Sequence, residues 1–220
     1  MWRLLLLLLL AGPALADGPR ILVMGDSFLA AHRNTGRSVG DILGAELGAR
    51  VTNRATVSAR MIYRLPITGR MGLNIPRQAR GGPYDWVVLN GGGNDFLLGC
   101  ACAACDARMA ALISPDGVRG VVPDLVARLR DAGARVVIPG YLRSPGRGSP
   151  IEHCADEGAE YEARLARMAA ARPGVTFLSN ADLVPSGSRA YHDWDMIHPS
   201  ARGARAVAER LVRHIRGAGG

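Results

Sequence analysis

Four residues have types and spacings that could do chemistry together: Ser27 in Gly25-Asp26-Ser27, Asn94 in Gly92-Gly93-Asn94-Asp95, and the pair in Asp195-Met196-Ile197-His198-Pro199. In that order they supply what acyl transfer requires. Ser27 is a hydroxyl nucleophile, Asn94 a neutral amide donor for a developing oxyanion, and His198 a base whose tautomer Asp195 can fix. An aspartate three residues before a histidine in a tight loop can accept from one imidazole nitrogen while the other faces the serine. Each segment also has a plainer reading. Ser27 could cap a helix, Asn94 could sit in a left-handed turn with Asp95 capping the next segment, and His198 could be structural, with His192 and Asp193 as rivals for the pair. The occurrence of all three in one chain, each where a parallel sheet would bring it to one edge, favours the chemical reading.

That edge requires strands. Residues 20–24, 86–90, 135–139 and 175–178 are short apolar runs bounded by turn residues, as buried parallel strands are, and residues 49–53 form a weaker fifth. Helical spacing occupies the intervals: residues 39–47 ending at Gly48, 107–113 capped by Asp106, 123–130 ending at Gly133, 157–171 ending before Pro173, and a last helix capped by Ser200. Alternating strands and helices predict an α/β fold with the sheet covered on both faces. Segment two comes after the third strand, which in a doubly wound sheet can neighbour the first and bring Asn94 toward Ser27. Residues 59–84 and 140–156 are irregular, rich in Gly, Pro and Arg, and come after strands, so substrate selection is expected there.

The chain has 220 residues, a length that fits one medium domain. Residues 1–16 read as a signal peptide, with Arg3, an apolar run from Leu4 to Leu10, and Ala14-Leu15-Ala16 as cleavage site; residues 17–220 are then the mature domain. The apolar run is too short to span a bilayer, and no cysteine comes closely enough after it for lipid modification. The expected destination is the periplasm or the outside of the cell, with no stable membrane anchor. The net charge is +8, and every Lys/Arg position is arginine. The arginines are scattered without an aromatic-interleaved stripe, so nucleic acid is not expected as a partner, and a weak preference for acidic surfaces or substrates remains. Cys100, Cys102, Cys105 and Cys154 fit two disulfides in an oxidising compartment, with three connectivities open, or alternatively a metal site beside His153. Disulfides would pin the loop after the third strand to the loop after the fourth. Three Phe and three Trp, Trp2 among them in the leader, leave few such rings for a large aromatic acyl site.

The three segments resemble the sequence blocks of the SGNH hydrolase family, also called the GDSL family, of esterases and lipases. The resemblance runs through the mature chain in block order. It implies a flavodoxin-like three-layer α/β/α sandwich, five parallel strands in order 2-1-3-4-5, and no cofactor. It makes Ser27, Asp195 and His198 the catalytic triad and puts the Ser27 amide, Asn94 and Ala59 in the oxyanion hole. Ala59 stands where the family usually has a glycine that donates its backbone amide. The Gly-x-Ser-x-Gly elbow of the α/β-hydrolases is absent. The expected activity is hydrolysis of a small-molecule, glycan or lipid ester by a monomer; the alternative is a non-catalytic binding module for glycans or cell-envelope polymers.

Overall fold

Five apolar runs become five parallel strands in the computed structural model, which describes residues 18–146 and 148–218. They are β1 (Arg20–Met24), β2 (Arg50–Asn53), β3 (Trp86–Leu89), β4 (Arg135–Pro139) and β5 (Val175–Leu178), in spatial order β2-β1-β3-β4-β5. The central pairing aligns Ile21 with Trp86 and Met24 with Leu89, so β1 and β3 end side by side. This is the three-layer, flavodoxin-like topology. The predicted signal peptide lies outside the described residues.

Side-chain alternation along β1 assigns the two faces. Ile21 and Val23 join one core with α2 (Val39–Leu47) and the last helix, α8 (Ala201–Gly217), after α1 (Ser27–Ala30) has opened the chain. Leu22 and Met24 join the opposite core, against the helices that come after β3 and β4. Between β2 and β3 lie a single turn, α3 (Pro66–Thr68), which runs on into a π-helical turn at Gly69–Leu73, and a 3-10 turn at Ile75–Gln78; after β3 come α4 (Gly93–Leu97), α5 (Asp106–Leu112) and α6 (Val121–Asp131), and after β4 comes α7 (Ala155–Ala170).

Capping sets several ends. Ser38 and Asp41 form a reciprocal capping box on α2, which stops at Gly48 in a left-handed conformation. Ser200 caps α8 by accepting from the Gly203 amide, and Ala204, Val207, Ala208, Leu211 and Ile215 bury its apolar face. Three helix starts differ from expectation. Asp106 is the first residue of α5 rather than its cap, α6 begins at Val121 after Gly120, and α7 begins at Ala155 because it continues directly from a single turn at Glu152–Cys154. Among the described residues no helix is long and apolar enough to cross a membrane.

Candidate active site

At Gly25 the chain leaves β1 with φ 153°, and a β-carbon there would lie 2.7 Å from the Asn90 carbonyl oxygen, so only glycine fits. Gln78 holds this peptide from the side. Its Oε1 accepts from the Gly25 amide at 2.7 Å, and its Nε2 donates to the Gly25 carbonyl at 2.9 Å and the Gly72 carbonyl at 2.8 Å. Asp26, not Ser27, caps α1: Oδ1 accepts from the Phe28 amide at 2.9 Å, and Oδ2 accepts from the Tyr141 hydroxyl at 2.5 Å. Burial pushes the Asp26 carboxyl above its ordinary range, and the Tyr141 and Phe28 hydrogen bonds offset part of that. Ser27 is therefore the first residue of α1, where helix geometry supplies its amide no acceptor.

Segment two turns at Gly91 and Gly92, both with positive φ. A β-carbon on Gly92 would lie 2.7 Å from the Tyr161 ring, and one on Gly91 2.6 Å from Ile75. Asn94 lies within α4 rather than in a left-handed turn. Its Nδ2 donates to the Ala59 carbonyl at 3.1 Å, which uses one of the two amide hydrogens and leaves the other for a ligand. Asp95, inside the same helix, does not act as a cap. Its carboxylate accepts from the amides of Met61 at 2.8 Å and Ile62 at 2.9 Å, and burial raises its pKa to about 6. Ala59 itself is fully buried and its amide donates to the Thr56 carbonyl at 3.1 Å; the left-handed conformation of this loop falls on Ser58, with φ 62°. Ala59 thus meets Asn94 through its carbonyl.

In segment three, His198 Nδ1 lies 2.5 Å from Asp195 Oδ2, while Asp195 Oδ1 accepts from the Ile197 amide at 2.9 Å and the His198 amide at 3.0 Å. Desolvation works to raise the Asp195 carboxyl, but the hydrogen bonds from the His198 ring and from the His198 and Ile197 amides outweigh it, and the group titrates below the ordinary range. A carboxylate on Nδ1 makes that nitrogen the donor and leaves Nε2 as the acceptor. The rival residues are engaged otherwise. Asp193 accepts from the Trp194 amide, and His192 is buried with both ring nitrogens lacking a partner among the described residues.

Ser27, Asn94 and His198 line one cavity of about 150 Å³. Phe28, Phe96, Tyr141 and Tyr161 line it as well, so the site is more aromatic than the scarcity of Phe and Trp implied: tyrosines supply half of those rings. On the same wall Arg143 pairs with the buried Glu162 at 2.6 Å, and Glu162 also accepts from the Tyr141 amide at 3.1 Å. Sequence reasoning missed Gln78, Tyr141, Arg143 and Glu162; the placement of Tyr141 directly after the fourth strand was the available signal.

The cysteines form disulfides Cys100–Cys105 and Cys102–Cys154. All four sulfurs are thereby consumed, so the thiolates that a metal site would need do not exist in this state. The second bridge joins the loop after β3 to the loop after β4, as expected, and Cys154 forms part of the cavity wall.

Solved structures share this architecture. A protein of Slackia heliotrinireducens described as an SGNH hydrolase is 25% identical, with a TM-score of 0.63 over 90% of this chain and 98% of that one. An alpha/beta hydrolase enzyme from the metagenome of Lake Arreo, Spain, is 18% identical, with a TM-score of 0.64 over 90% and 95%. A family two carbohydrate esterase from Clostridium thermocellum, in complex with cellohexaose, is 18% identical, with a TM-score of 0.58 over 90% of this chain and 63% of that one. No curated protein matches the chain in sequence. The family model described as GDSL-like Lipase/Acylhydrolase matches residues 23–206, most of the chain's length. On that match the chain belongs to the GDSL-like lipase/acylhydrolase family, the SGNH hydrolases.

Proposed function

We propose that this chain is a serine hydrolase that cleaves carboxylic esters through an acyl-Ser27 intermediate. One observation carries the reading: Ser27, Asn94 and His198 line a single cavity, with His198 held by Asp195. His198 Nε2 takes the Ser27 proton as Oγ attacks the ester carbon. The oxyanion is met by the Ser27 amide and the second hydrogen of Asn94 Nδ2. The intermediate collapses as His198 returns the proton to the leaving alcohol; His198 then deprotonates a water, which releases the acid and frees Ser27. The Ala59 amide would have to leave Thr56 to join the oxyanion hole, so in this state Ala59 contributes through its carbonyl, which orients Asn94.

A cavity of about 150 Å³ with aromatic walls fits a group of about six heavy atoms, which favours short acyl chains over long ones. The leader-like residues 1–16 and the two disulfides support action in the periplasm or outside the cell. A fluorophosphonate probe tests the reading. Labelling of wild type but not of Ser27→Ala, together with turnover of acetyl and butyryl aryl esters, is the expected result; folded wild type that neither labels nor turns over any ester overturns it and favours a binding module.

A further inference from the structure

Residues 54–84, which run from the end of β2 almost to β3, contain six arginines and no aspartate or glutamate. Four of them, Arg64, Arg70, Arg77 and Arg80, are exposed, and among the described residues none is paired with a carboxylate. The same segment turns large apolar side chains into water: Leu65, Ile67 and Met71 are 63%, 75% and 74% exposed. Leu65, at the start of α3, Ile67 within it and Met71 in the π-helical turn after it belong to neither core. Large apolar side chains bared together on one short stretch mark an interaction surface, and the arginines around them, free of carboxylate partners, set the sign of what it can meet.

A second observation lies beside the first. Arg60, Arg64 and Arg108 line one cleft of about 300 Å³ together with Ile62, Tyr63 and Leu65. The Arg60 guanidinium lies 5.1 Å above the Tyr63 ring, and its Nε is buried with no hydrogen-bond partner. Arg108 donates to the Gly99 carbonyl at 3.4 Å. The carboxylate that Arg60 and Arg108 act on, Asp95, is buried and already holds two backbone amides. Three guanidinium groups therefore meet at a cleft with donors to spare, which is the chemistry that receives a phosphate.

We propose that this surface docks the protein reversibly on an anionic phospholipid membrane. Leu65, Ile67 and Met71 enter the boundary between headgroups and acyl chains, Arg64 and Arg70 pair with lipid phosphates around them, and one phosphate seats in the cleft formed with Arg60 and Arg108. A lipid surface fits better than nucleic acid because the exposed side chains are aliphatic, which gain by leaving water for the bilayer, whereas nucleic-acid surfaces use stacking rings. Docking of this kind needs no spanning helix. It brings the acyl-transfer cavity beside the bilayer, because the same loop holds Asn94 through Ala59 and Asp95 through Met61 and Ile62.

The experiment is flotation of the purified mature protein with vesicles, which reads binding without turnover and is therefore independent of the esterase reading. Vesicles of phosphatidylcholine containing one third phosphatidylglycerol should carry the protein, pure phosphatidylcholine should not, and added salt should weaken the binding. Each of Arg64→Gln and Arg70→Gln should weaken it roughly fivefold. Leu65→Ser/Ile67→Ser/Met71→Ser, all at exposed positions, should abolish flotation with an unchanged unfolding midpoint. Failure to float with anionic vesicles, equal binding to neutral ones, or undiminished binding by the aliphatic triple variant overturns the proposal. So does protection by inorganic phosphate alone without vesicle binding, which would mark a small-anion site, or tighter binding to single-stranded DNA than to vesicles.

Discussion

The Tyr141 hydroxyl donates to the Asp26 carboxylate at 2.5 Å and accepts from the Gly93 amide at 3.1 Å, so one phenol ties the turn before Ser27 to the turn before Asn94. The two turns come after different strands, and Tyr141 reaches them from the loop after a third, β4. Burial and the neighbouring Asp26 hold the phenol well above its ordinary pKa, which keeps the proton on Tyr141. Tyr141→Phe leaves the buried Asp26 with one donor fewer. The expected result is a loss of about 1–3 kcal/mol of stability in urea unfolding and a fall in kcat larger than any change in KM. An unchanged unfolding curve and unchanged kcat would show that the bridge does not position the two turns.

Asn94→Ala removes the side chain proposed as the oxyanion donor. Turnover of an aryl acetate should fall about 100- to 1,000-fold in kcat, while fluorophosphonate still labels Ser27, only more slowly. Complete loss of labelling in folded protein would instead place Asn94 in the support of Ser27.

Asp95 gives a pH signature. Its pKa is about 6 in the fold against 3.8 for the free group, so the folded chain takes up this proton more readily than the unfolded chain. Its favourable contribution is complete below about pH 4 and is lost as pH rises through 6, a span of about 3 kcal/mol. Denaturant unfolding of wild type and Asp95→Asn across that range should show the stability difference, wild type minus variant, shrinking as pH rises. A difference that stays constant with pH would contradict the assignment.

The disulfides should differ in weight. Cys102–Cys154 closes a separation of 52 residues and Cys100–Cys105 one of 5, for which loop entropy gives about 4 and about 2 kcal/mol. The paired alanine variants, compared by thermal unfolding, should rank in that order. Loss of the longer bridge should also lower esterase activity, since Cys154 is in the cavity wall. Equal effects on Tm would show that the unfolded chain is already compact around this region.

The sheet was legible because buried parallel strands leave continuous apolar runs, and the ends of β1, β4 and β5 fall where those runs end. Ser27, Asn94, Asp195 and His198 were legible for a different reason: each sits within a few residues of the glycine, proline or strand end that fixes its local geometry. Gln78 and Tyr141 also lie near a proline or a strand end, but position alone does not say what they bind. Their partners lie 53 and 115 residues away, and hydrogen bonds across such distances arise from tertiary packing rather than pattern. Disulfide pairing was undecidable because which of three neighbouring cysteines meets Cys154, 52 residues from Cys102, is likewise settled by packing. Helices α6 and α7 start earlier than their periodicity indicates because a glycine turn and the bridged Glu152–Cys154 turn feed directly into them.

By satisfying both the amide and the carbonyl of Gly25, Gln78 does for that residue what a neighbouring strand does for residues inside the sheet. The sheet in effect extends one residue past the end of β1, with the Thr56 backbone amide on the Gly25 carbonyl and the Gln78 side chain on both of its polar groups. The turn before Ser27 is thereby built as core and not as a fraying strand end, and the Gly25 amide should exchange its hydrogen as slowly as the amides of β1 itself. Motion that admits substrate is then left to the loops across the cavity, while the Ser27 turn stays still.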